Sequence, residues 1–118
     1  MIVIIESPFA GATEEILARN MKYLRACMRH SLLNGESPYA SHALYTQPGV
    51  LDDTIPHERE IGIRAGFEFR EHADLTAIYQ DLGVSGGMEY GIKHANTIGT
   101  PVEYRSLGTG TMIKLGLL

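Results

Sequence analysis

The chain is poor in cysteine: Cys27 is the only one in 118 residues. No intrachain disulfide can form, and no cysteine-rich metal site is available. Cys27 falls inside a helical pattern and reads as a small buried apolar residue. Positive charge is also short. A formal charge of −4 argues against nucleic acid as a partner, which asks for a basic patch. Free nucleotides are not excluded, because backbone N–H groups alone can hold a phosphate. The opening run Met1-Ile2-Val3-Ile4-Ile5 is far too short to span a membrane, and no basic segment precedes it. A cytoplasmic, non-membrane protein is expected. Five prolines and 13 glycines are too few for a disordered chain, and 44% hydrophobic residues can build one core. The length predicts a single domain over residues 1–118.

Apolar periodicity sets out the order of elements. Ile2 to Glu6 is a short β-branched run, as buried parallel strands are. Thr13-Glu14-Glu15 opens a helix whose buried face is expected at Ile16, Leu17, Met21, Leu24, Met28 and Leu32, and Asn34-Gly35 closes it. A second strand is expected over Ser37 to Leu44, with Pro38 at an irregular start. Tyr45 to Pro56 is polar and turn-rich, a long loop of the kind that serves as a lid. A helix with apolar Ile61, Ala65 and Phe69 follows from Pro56 to His72. Leu75 to Tyr79 is the third strand, Glu89 to Thr97 the next helix with Gly99 as its stop, and Thr100 to Tyr104 the fourth strand. Met112 to Leu115, in the tail from Ser106 to Leu118, is a candidate fifth strand. Alternating strands and helices predict an α/β fold with a mainly parallel four- to five-stranded sheet.

Ligands of such sheets bind outside the carboxyl ends of the strands. That rule predicts one cleft lined by Glu6, Ser7, Phe9, His42, Ser85 and Glu89. The turn Ser85-Gly86-Gly87-Met88 before a helix offers free N–H groups to an anion, and equally reads as an N-cap with a tight turn. It lacks the lysine of a phosphate-binding Walker loop and the glycine spacing of a dinucleotide fingerprint. Glu89 is either a carboxylate aimed at a sugar carbon or a first-turn acid complementing the helix dipole. Asp74 either orients a ligand or bonds loop N–H groups at a strand entry. Phe9 and Tyr45 are candidates to stack on a base or to pack locally, and Arg59 or Arg64 to meet a phosphate. His30, His42, His57, His72 and His94 show no i, i+4 pairing, so no metal site and no cofactor are expected.

Ser7-Pro8-Phe9, Ser41-His42-Ala43-Leu44, Ala73-Asp74-Leu75, Ser85-Gly86-Gly87-Met88-Glu89-Tyr90-Gly91 and Gly99-Thr100-Pro101-Val102, in this order, resemble the nucleoside 2-deoxyribosyltransferase-like superfamily. The small uncharacterised members of bacteriophage type are most similar, and the resemblance runs from Ile2 to Tyr104. It implies a single-domain Rossmann-like three-layer sandwich, a nucleoside or nucleotide ligand and a homo-oligomer. It further implies cleavage or transfer of an N-glycosidic bond by a glutamate nucleophile at the position of Glu89, with Asp74 as a second acid. Ser7, Phe9, His42, Ser85, Gly86, Gly87 and Met88 would bind the substrate. Two positions depart from the pattern: Ile4 stands where the enzymes carry a tyrosine, and the segment Arg64 to Glu68 lacks their helix aspartate. The second reading is therefore a non-catalytic nucleotide-binding protein that sequesters a signal, and the third a structural oligomer-forming domain.

Overall fold

The computed structural model describes residues 1–118. Strands β1 (Ile2–Glu6), β2 (Ser37–Tyr39), β3 (Leu75–Tyr79) and β4 (Val102–Arg105) form one sheet. Helices α1 (Glu14–Leu33), α2 (Ser41–Leu44), α3 (Pro56–Arg70), α4 (Gly86–Ile98) and α5 (Thr109–Lys114) connect or flank them. The strand order is β2-β1-β3-β4 and every pairing is parallel, as the α/β Rossmann-like expectation required. Because β1 sits between β2 and β3, the chain winds outwards in both directions from the β1/β3 junction. The crevice beyond their carboxyl ends is the topological switch point.

Strand alternation divides the interior. Val3, Ile5, Ala77 and Tyr79 face a core shared with Tyr23, Leu24 and Cys27 of α1 and Met112 of α5. Ile4, Glu6, Thr76 and Ile78 point to the opposite face, where α3 and α4 lie; Arg70 of α3 bonds Thr76 there. One face is therefore an apolar core, and the other carries charge at its carboxyl edge.

Helix α1 is rotated from its expected phase. Asn20, Tyr23, Leu24, Cys27 and Ser31 are buried, whereas Leu17 and Leu32 are exposed. Polar groups at the buried positions are satisfied, which lets them displace leucines. Asn20 Nδ2 donates to the Phe9 carbonyl at 3.0 Å, and Ser31 Oγ donates to Glu36 at 2.7 Å. The Tyr23 hydroxyl donates to Asp81 at 2.5 Å. Helix α3 behaves likewise, with Gly66 and Arg70 buried while Ile61 and Phe69 are exposed.

Two expected strand assignments give way. The second strand stops at Tyr39, and Ser41–Leu44 is a helical turn that carries His42 inwards over β1. The tail forms α5 instead of a fifth strand. Asp81 accepts N–H bonds from Leu107 at 2.9 Å and Gly108 at 3.1 Å, and Gly108 adopts φ 95°, so the chain turns off the sheet edge. Met112 and Leu117 are then buried against the α1 side of the core.

Candidate functional site

A cavity of about 540 Å³ opens at the switch point. Its floor is the end of β1: Ile4, Glu6 and Ser7 all line it. Phe9 and His42 form one wall, α3 supplies Arg59, Phe67 and Arg70, and the N-terminal turn of α4 closes the rim with Ser85, Gly86 and Gly87.

Glu6 is the best-fixed carboxylate of this cavity. Its Oε1 accepts from Arg70 Nη2 at 3.0 Å, and the two side chains are 16% and 3% exposed. Arg70 is held on its other edges by Thr76 Oγ1 at 3.2 Å and His94 Nδ1 at 3.1 Å. The His94 ring stacks on Phe67 with centroids 3.7 Å apart. Burial pushes the Glu6 carboxyl up to about 7, the Arg70 charge opposing. A buried arginine needs a counter-charge, and losing either partner leaves the other stranded. Asp53, the second carboxylate at the cavity, comes from the loop before α3 and lies near Arg59.

Ser7 and His42 form a second polar pair, with Ser7 Oγ 3.0 Å from His42 Nε2. Burial holds His42 down to about 4, so at neutral pH the imidazole is uncharged and one ring nitrogen can accept from a hydroxyl. Phe9 meets the His42 ring edge-on at 5.8 Å. Tyr39 also lines the cavity. Its ring stacks on Phe69 at 4.2 Å, yet its hydroxyl is closed off from solvent with no hydrogen-bond partner. Ser85 caps α4, its Oγ accepting from Met88 N at 3.3 Å. No three His, Cys, Asp or Glu side chains come together as a metal ion would need, and no helix is long and apolar enough to cross a membrane.

Residues 1–105 match a family model described as a domain of unknown function, DUF7768. The chain belongs to that family. A solved structure of the 2-deoxyribosyltransferase from the psychrotolerant bacterium Bacillus psychrosaccharolyticus shares the fold, with a TM-score of 0.67 and 16% identity. The likeness covers 92% of this chain and 74% of that one. No curated protein sequence matches the chain.

In this DUF7768 chain the expected cleft residues Glu6, Ser7, Phe9, His42 and Ser85 do meet, together with Gly86, Gly87 and Met88. Glu89 and Asp74 stand apart. Met88, Gly91 and Ala95 turn α4 towards the sheet, and at about 100° per residue Glu89 falls on the far side of the helix. It is exposed there beside Val84, Ile92, Lys93 and Tyr104, lining a separate shallow depression. Asp74 lies at the amino end of β3, the opposite edge of the sheet, where its carboxylate accepts from Ile2 N at 2.7 Å. Tyr45 packs edge-on to Tyr39, and Arg64 pairs with Glu60 on the exposed face of α3. Tyr39, Asp53, Phe67, Arg70 and Tyr90 also line the cavity, with no cleft motif in the sequence to mark them. Arg70 bonds Glu6 across 64 positions of sequence, a separation no local pattern records.

Proposed function

We propose that the switch-point cavity binds a nucleoside or nucleotide and cleaves or transfers its N-glycosidic bond through a carboxylate. The observation that carries this reading is the cavity's division of chemistry. A carboxylate lies in its floor, an open helix N-terminus with two glycines on its rim, and aromatic rings on its walls. An anomeric carbon that develops positive charge is stabilised by a nearby carboxylate. A phosphate or sugar oxygen suits the N–H groups at Gly86 and Gly87, and a planar base suits Phe9 and Phe67. The volume falls within the roughly 300–1,000 Å³ usual for small-molecule sites. The fold shared with a 2-deoxyribosyltransferase supports the same substrate class.

Ser7 and His42 would hold the sugar. The neutral ring and the hydroxyl together offer an acceptor and a donor without adding charge. Arg59, exposed at the mouth, would meet a phosphate. The test is incubation of the purified protein with deoxynucleosides and their 5′-monophosphates, with and without a second free base, followed by chromatography of released bases. Free base or an exchanged nucleoside is expected from at least one member. Recovery of every substrate intact after long incubation would overturn the reading.

A further inference from the structure

We infer that Glu6, at the end of β1, is the carboxylate that attacks the anomeric carbon, and that Glu89 takes no part in the bond-breaking step. The inference rests on the reading above and names the reacting group within it.

Position argues first. Glu6 is the last residue of β1, the strand on one side of the switch point, so a regular backbone fixes its Cα. Its neighbours fix the rest of the side chain. Arg70 Nη2 grips one carboxylate oxygen, and Gly91 of α4 lies directly against the carboxylate, where a Cβ would come within 2.6 Å of Glu6 Cδ. A nucleophile must be held within a fraction of an ångström of its productive place, and a strand end clamped from two helices supplies that. Asp53 has no such clamp: it sits on a loop, and no hydrogen bond or ion pair holds its side chain.

Charge argues second. Arg70 is shut in between Glu6, Thr76 and His94, and its positive charge opposes the upward pull of burial on Glu6, so that a share of the carboxylate stays ionised at neutral pH. Glu89 has the reverse situation. It is exposed to water on the far face of α4, and to reach the cavity it would have to cross the helix backbone.

The chemistry balances without a further reactant. A Glu6 oxygen forms a bond to C1′ as the C1′–N bond breaks, and the electron pair leaves on the base nitrogen, which takes a proton from solvent. Water then attacks C1′ of the glycosyl ester and sheds a proton that balances the first. The ester C1′–O bond breaks and returns its electrons to the Glu6 carboxylate. A second base in place of water gives transfer instead of hydrolysis.

The experiment traps the ester. Wild-type protein is incubated with a 2-deoxy-2-fluoroarabinosyl purine nucleoside and its 5′-monophosphate, whose fluorine slows both steps, and is then digested and mapped by mass spectrometry. An added fluorosugar on the peptide carrying Glu6 is expected. An adduct on the Glu89 peptide, or base release from natural substrates with no adduct, overturns the inference while leaving N-glycosidic cleavage standing. No base release from any natural substrate overturns the function reading itself, and this inference with it. Glu6→Gln should lower base release by on the order of a thousandfold or more. Glu89→Gln should keep the wild-type rate. A thermal melt of each variant separates loss of the nucleophile from loss of the fold, and Glu6→Asp, which keeps the charge on Arg70, should retain the fold but still lose most turnover.

Discussion

The Glu6 carboxylate rests against the bare Cα of Gly91, filling the space that a β-carbon on α4 would otherwise take. Gly91→Ala would push a methyl group into that carboxylate. Overpacking of this kind costs about 1–3 kcal/mol, set against about 1 kcal/mol gained from replacing a helical glycine. The net expectation is a small loss of stability with a loss of at least about tenfold in turnover, because the carboxylate must move. Gly110→Ala in α5 is the control. A Cβ there meets nothing within 4 Å, so its melting temperature should hold or rise. Calorimetry beside the base-release assay checks both; unchanged turnover in Gly91→Ala would contradict the account of Glu6.

Glu6 and His42 make opposite contributions to stability over nearly the same pH range. The folded pKa of Glu6 is raised from 4.5 to about 7, so its contribution is full below 4.5 and is lost as pH rises towards 7. His42 is lowered from 6.5 to about 4, so its contribution is full above 6.5 and is lost as pH falls towards 4. Each shift corresponds to roughly 3 kcal/mol at about 1.4 kcal/mol per pH unit. The wild-type unfolding free energy should therefore change little between pH 4.5 and 6.5 through these two groups. His94, also lowered, adds in the sense of His42. Glu6→Gln should leave a stability that rises with pH, and His42→Gln one that falls. Urea titrations at a series of pH values would show the two slopes; parallel profiles for the two variants would refute the pairing.

The buried Tyr39 hydroxyl makes no hydrogen bond of normal length, and its polar neighbour is Tyr45. Removing it should not harm the free protein, since an unpaired buried hydroxyl costs about 1–3 kcal/mol. Tyr39→Phe is expected to melt at the same temperature or higher. If a ligand acceptor completes that hydroxyl, the same change should weaken nucleotide binding by roughly fivefold to tenfold, about the net worth of one hydrogen bond. Isothermal titration beside a melt reads both quantities, and equal affinity for the two proteins would place the ligand elsewhere.

β1, β3 and the parallel sheet were legible because these strands are short β-branched or apolar runs and the glycines and caps mark their neighbours, whereas the second strand ends at Tyr39 and the tail is helical. Thr13, Ser85 and Gly99 cap or stop their helices where the sequence places them. The phase of α1 was legible only in part: Leu24 is buried and Met21 and Met28 pack against the core as expected, but Leu17 and Leu32 are exposed. Its buried face is written in Asn20, Tyr23 and Ser31, polar residues whose partners Phe9, Asp81 and Glu36 lie outside the helix. The same limit hid Arg70 and left Glu6 without its ion-pair partner. A buried ion pair is a property of two distant residues, and hydrophobic periodicity registers neither. The motif around Glu89 located a turn of the cavity, which Ser85, Gly86, Gly87 and Met88 line. What it could not supply was the rotation of α4, which burial of Met88, Gly91 and Ala95 decides.

The strand order carries a last consequence. The cavity draws Phe9, Tyr39, Arg59 and Ser85 from the β1–α1 loop, the end of β2, helix α3 and the turn before α4, which meet only once β2, β1 and β3 have aligned. The lining runs from Ile4 to Gly91, so no short fragment contains the pocket and no local unit can form it ahead of the sheet. Ligand capture is thereby a readout of the completed molecule: a bound nucleotide should protect the amides of β1 and β3 together, tying occupancy to global unfolding instead of to the breathing of one loop.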